Sequence, residues 1–145
     1  MSAAAFVGID PGLTKCGYAT LGSDGSRLSI EVVPTPALAD RLARDARTGS
    51  VRMVCVGDAT TSAQAVAEIR RSWPQAPIAI VDERHTTLQA RRMYYEDHPP
   101  RGLWRLLPRG LLVPSEPLDG YAALLIVQRY LAGSTTADTT MKDQP

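Results

Sequence analysis

The hydrophobic pattern changes period about a quarter of the way along the chain. Residues 4–10 are almost continuously apolar and end on an aspartate, Asp10, which predicts a strand buried on both faces. Residues 17–21 predict a second short strand, and Gly22-Ser23-Asp24-Gly25 a turn. From Arg27 to Val33 the positions alternate: Leu28, Ile30 and Val32 fall on one side, Ser29 and Glu31 on the other. Three strands joined by short turns predict an antiparallel meander.

After residue 34 helical and strand periods take turns. Thr35-Pro36 predicts the start of a helix running to about Thr48 and stopping at Gly49. Residues 51–56 predict a buried strand. Thr61 or Ser62 caps a helix through Trp73, with Ala65, Val66 and Ile69 facing inward. Residues 77–81 predict another strand, which ends in Asp82-Glu83; a helix follows from Thr86 or Thr87 to about Asp97. A loop rich in Pro, Gly and Arg occupies 98–114, a last helix 118–131, and a Ser/Thr-rich, disordered tail 133–145. The order predicts one α/β domain over residues 1–132. Its core is a mixed five-stranded sheet, the meander plus parallel strands, with helices on both faces. Right-handed crossovers bring the fourth strand beside the first.

Composition narrows the class. At 145 residues and 44% hydrophobic, the chain is long enough for one domain with a real core. A net charge of +1 gives no overall field to attract a polyanion. All the basic residues except Lys15 and Lys142 are arginine, the better fork for phosphate, although a GC-rich genome gives the same bias. Cys16 and Cys55 lie apart in strand-like runs and read as small buried apolar groups of a cytoplasmic, reducing environment. The sequence starts without a signal-peptide pattern, and no apolar stretch reaches membrane-spanning length.

Three acids carry the candidate chemistry. Asp10 ends the first strand just before Pro11-Gly12, and alone it reads as a turn residue. Asp82 and Glu83 end the last strand and point to opposite faces, so only one of them faces a site beside Asp10. Asp119 stands on the apolar face of the last helix, in line with Ala122, Ala123, Ile126 and Val127. A charge there is costly unless it is paired or binds a metal. Carboxylates gathered from two strand ends and a helix start repel one another, and hard divalent cations relieve that repulsion. Asp58, after the central strand, adds an acid at another strand end; capping the following helix is an equal alternative.

With these residues in place, a resemblance appears. "GIDPGLTKCGYA", "VDERHTT" and "LDGYAALLIVQRYL", in this order and spacing, resemble the YqgF/RuvX family. Those proteins have an RNase H-like fold and are related to the RuvC Holliday junction resolvases; the first motif is equally similar to RuvC. The similarity spans roughly residues 5–131. It implies a metal-dependent nuclease of the Holliday-junction or pre-16S rRNA type, with Asp10, Glu83 and Asp119 as catalytic acids. It also implies Mg²⁺ or Mn²⁺ in a two-metal site, bridged by Asp10, and products with 5′-phosphate ends. The run Val56-Gly57-Asp58-Ala59-Thr60-Thr61 departs from the family's Gly-Leu-Pro-type motif and keeps only its first glycine.

Substrate contacts are expected from Lys15 and from the stretch between Arg84 and Arg109. That stretch carries six arginines against Glu96 and Asp97, with Tyr94, Tyr95 and Trp104 interleaved. Arginines on phosphate and rings on bases suit flexible nucleic acid. Lys15, Arg84, Arg91, Arg92, Arg101, Trp104, Arg105 and Arg109 are the candidates. Tyr94 and Met93 read equally as helix core, and Leu103, Leu106 and Leu107 as a small core or a subunit contact. The expected partner is RNA or branched DNA, bound by a monomer or a homodimer with no membrane involved. Two other readings stay open. Asp10, Gly12, Thr14 and Gly17 also fit the phosphate loop of an actin/sugar-kinase-like phosphotransferase, and the same fold serves non-catalytic nucleic-acid binding.

Overall fold

The computed structural model describes residues 3–83, 86–99 and 118–133. The elements are β1 (Phe6–Asp10), β2 (Lys15–Leu21), β3 (Arg27–Pro34), a 3₁₀ turn (Thr35–Ala37), α1 (Leu38–Ala46), β4 (Met53–Gly57), α2 (Ser62–Ser72), β5 (Ile78–Val81), α3 (Thr86–Asp97) and α4 (Asp119–Ala132). One five-stranded sheet runs in the order β3-β2-β1-β4-β5. The meander β1–β2–β3 is antiparallel, while β4 and β5 run parallel to β1. The expected mixed sheet and the placement of the fourth strand beside the first are both present.

Two apolar layers sandwich the sheet. On one face Val7, Ile9, Tyr18, Val54 and Val56 pack against Leu38 and Leu42 of α1 and Ala65 and Ile69 of α2. On the other, Ala19, Leu21 and Cys55 meet Ala123, Leu124, Ile126 and Val127 of α4. β1 and β4 are covered on both sides, which is why their sequences run apolar without alternation. Each fully buried Leu, Ile or Val contributes roughly 1.5–3 kcal/mol. α3 lies outside α4, joined by Ala90, Tyr94, Tyr95 and Tyr121.

Two details differ from the sequence reading. The helix expected from Thr35 begins at Leu38: Thr35–Ala37 form a 3₁₀ turn, tied to the sheet side by the Thr35 N–H, which donates to the Thr14 carbonyl at 2.9 Å. The apolar side of β3 is only partly covered. It is an edge strand, and α4 reaches it at Ile30 beside Gly120, leaving Leu28 and Val32 exposed. A polar clamp holds α1 to the sheet on the opposite face. Arg41 stacks on the Tyr18 ring at 4.4 Å and donates to Glu31 (2.7 Å) and Asp45 (2.8 Å), while the Tyr18 hydroxyl donates to Asp45 at 2.6 Å.

Candidate active site

Strand register builds the site. On β1, Val7 and Ile9 enter the core under α1 and α2, so Phe6, Gly8 and Asp10 face α4. Asp10 pairs with Gly17 of β2. On its other side, one step beyond the pair Ile9–Val56, comes Gly57 of β4. Both cross-strand neighbours of Asp10 are therefore glycines, and each leaves room for another acid. A Cβ on Gly17 would strike the carbonyl of Asp119, so its absence lets the first turn of α4 sit directly on β2. A Cβ on Gly57 would strike the carboxylate of Glu83, which folds back over that residue. Gly8 does the same for the second turn of α4, at Ala123.

The electrostatics follow from this crowding. The Asp10 carboxyl is pushed up to about 8. Burial contributes most, then a side-chain hydrogen bond with Glu83, then the negative charges of Glu83 and Asp119. All of these causes favour the protonated form of Asp10 over the carboxylate. Asp119 is half-buried and pairs with Lys15, Nζ to Oδ2 at 3.5 Å. Among the described residues no three His, Cys, Asp or Glu side chains form a ready-made metal cage. The Asp10 carboxyl is hydrogen-bonded to Glu83, and the Lys15 ammonium lies beside Asp119. A divalent ion supplies the same positive charge, and an all-carboxylate donor set suits a hard one such as Mg²⁺ or Mn²⁺.

The surrounding bonds fix these side chains. The turn after Asp10 is tied down by Thr35, whose hydroxyl donates to the Gly12 carbonyl at 2.9 Å. The exit of β5 is held by Arg129 of α4, which donates to the Asp82 carbonyl (2.7 Å) and to Gln89 (3.1 Å). Asp58 accepts the Glu83 N–H at 3.1 Å. The sequence offered Asp58 as a helix cap, but α2 starts at Ser62 with Thr61 as its N-cap residue and no side-chain cap.

The nucleic-acid candidates divide. Lys15 opens β2 at the site and pairs with Asp119. Arg91 is half-buried on α3, and Arg92 on the same helix is exposed. Tyr94 and Tyr95 are not available to stack on bases. They are buried at 4% and 6% exposure, edge to face with each other, and Tyr94 packs on Tyr121 and His98. Arg84, Arg101, Trp104, Arg105 and Arg109 lie outside the described residues, as do most of the 98–114 loop and the tail from 134 onward. Sequence reading missed the flanking glycines and Arg129. Gly17 and Gly57 were legible only as a pair of small residues at strand positions level with Asp10, which requires the register.

No protein-family model matches the sequence, and no curated protein does. A solved structure does resemble it: RuvC of Thermus thermophilus superposes with a TM-score of 0.54 at 16% identity, over 90% of this chain and 95% of that one. The fold is RNase H-like and of the RuvC type. In this RuvC-like frame, the three acids stand at the ends of β1 and β5 and the start of α4.

Proposed function

We propose that the protein is a divalent-metal-dependent nuclease that hydrolyses phosphodiester bonds in RNA or branched DNA. The observation that carries this reading is the burial of Asp10 at the end of β1, hydrogen-bonded to Glu83 and within reach of the charges of Glu83 and Asp119, in a sheet with a RuvC-like fold. The similarity of "GIDPGLTKCGYA", "VDERHTT" and "LDGYAALLIVQRYL" to the YqgF/RuvX family, relatives of RuvC, supports the same activity.

Asp10, Glu83 and Asp119 would hold the cation or cation pair, Mg²⁺ or Mn²⁺, which when bound activates water and neutralises charge building on the phosphate. The chain's own contribution is geometric. The sheet fixes Asp10 between two glycines, and the seat over Gly17 holds Asp119 at the first turn of α4, where the helix dipole favours an anion. The hydrogen bond between Asp10 and Glu83 orients both carboxyl groups. Lys15 neutralises Asp119 in the protein as it stands, and with a cation at the acids its ammonium would be available to a phosphate oxygen of the substrate.

The test uses purified protein with a labelled four-way junction and a labelled structured RNA, in Mg²⁺ or Mn²⁺ and in chelator. Metal-dependent cleavage of either substrate, lost in Asp10→Asn, supports the reading, and the substrate cut identifies the class. Equal cutting by Asp10→Asn, or nucleic-acid binding that ignores chelator with no cleavage, contradicts it.

A further inference from the structure

Among the acids at the strand ends, Asp58 is left without a role by the metal-holding set. It immediately follows β4, is exposed, and does not cap α2. Its backbone and side chain do one thing together. The Asp58 N–H donates to the Val81 carbonyl at 3.0 Å, the last rung of the parallel β4–β5 ladder. A parallel ladder would next direct the Glu83 N–H to the carbonyl of residue 58. Here the Asp58 carboxylate Oδ1 takes that N–H instead, at 3.1 Å. The side chain therefore extends the sheet by one rung, just where the two chains separate. The rung it adds is the backbone of Glu83, whose carboxylate lies over Gly57, the residue directly before Asp58.

We propose that Asp58 is a positioning residue. It anchors the Glu83 backbone so that the Glu83 carboxylate stays over Gly57, facing Asp10. The inference rests on the nuclease reading for its purpose but on the hydrogen bond for its geometry. Arg129 braces the same exit from the other side by binding the Asp82 carbonyl, so residues 82 and 83 are gripped from β4 and from α4 at once. What Asp58 supplies is an acceptor oxygen, not a charge at the metal. Asn at this position keeps the acceptor and loses the charge, whereas Ala loses both.

The experiment compares wild type, Asp58→Ala and Asp58→Asn. Mn²⁺ affinity is measured by calorimetry, and exchange of the Glu83 amide hydrogen by NMR on the metal-free protein. Because Asp58 is exposed, both variants should fold, which thermal unfolding checks. Removing a partner that orients a metal ligand typically weakens metal binding by about 10-fold or more. That loss is expected for Asp58→Ala, with faster exchange at Glu83, and Asp58→Asn should recover most of both. Wild-type behaviour in Asp58→Ala would overturn the proposal. So would an Asp58→Asn as weak as Asp58→Ala, because the charge would then be what matters. If wild type binds no Mn²⁺, the nuclease reading falls. The amide exchange still decides the contact, since unchanged exchange in Asp58→Ala refutes it and faster exchange upholds it.

Discussion

Asp10 binds its proton far more tightly in the folded chain than in the unfolded one. The carboxyl lies near 4 when unfolded and is pushed up to about 8 in the site. The sign follows directly. Protonated Asp10 favours folding, so its contribution is full below about pH 4 and is lost as pH rises from about 4 to about 8. The melting temperature of metal-free protein should therefore fall across that window. Asp10→Asn, which cannot ionise, should flatten the fall and be the more stable protein at pH 8. Mn²⁺ at pH 8 should restore wild type and leave Asp10→Asn almost unmoved. Calorimetric melts at three pH values, with and without metal, measure all three effects. Gly57 gives a second prediction at this scale. A methyl group there occupies the space of the Glu83 carboxylate, so Gly57→Ala should retain the fold and lose Mn²⁺ binding in a calorimetric titration. Neither effect was legible in the sequence. It gives Asp10 a strand end and Glu83 another, but not that both neighbours of Asp10 lack side chains.

Among elements, α4 bears most directly on the site, because it crosses the sheet and carries Asp119 at its first turn. Its close approach depends on Gly8 and Gly17, where a Cβ would strike helix backbone and not a side chain that can swing away. Gly17→Ala should push the helix start off β2 and cost about 1–3 kcal/mol as overpacking. Denaturant unfolding would read that loss, and Lys15 and Asp119 should separate with it. The clamp on α1 offers a milder case. Tyr18→Phe removes one donor but leaves Asp45 bonded to Arg41, so the same assay should give about 0.5–1.5 kcal/mol. The inward face of α4 was legible because Asp119, Ala122, Ala123, Ile126 and Val127 share one helical stripe. α3 was harder to read. Tyr94 and Tyr95 are adjacent in an arginine-rich stretch that suits nucleic acid, with Tyr94 reading equally as helix core, and both turn into the cluster with Tyr121. Only the presence of α4 beside them decides that.

For the whole molecule, the layered architecture follows from patterning. Strands covered on both faces read as apolar runs, the meander has short turns, and each later strand is preceded by a helix. The candidate site was proposed from the sequence as three separate acids; the contacts around them were not legible there. The Asp10–Glu83 hydrogen bond, the Lys15–Asp119 pair and the Asp58–Glu83 bond are contacts between residues far apart in sequence. Among the described residues no helix is long and apolar enough to cross a membrane. Symmetric cutting of a four-way junction calls for two copies of such a site, whereas RNA trimming needs one. Sedimentation of the active species should therefore show a dimer if the junction is the substrate cut. The central claim, however, is that Asp10, Glu83 and Asp119 together grip a divalent ion. Anomalous diffraction from crystals soaked in Mn²⁺ tests it most directly. The account predicts a peak among these three carboxylates, with Lys15 drawn away from Asp119. A peak elsewhere, or none at the three acids at saturating Mn²⁺, would contradict it.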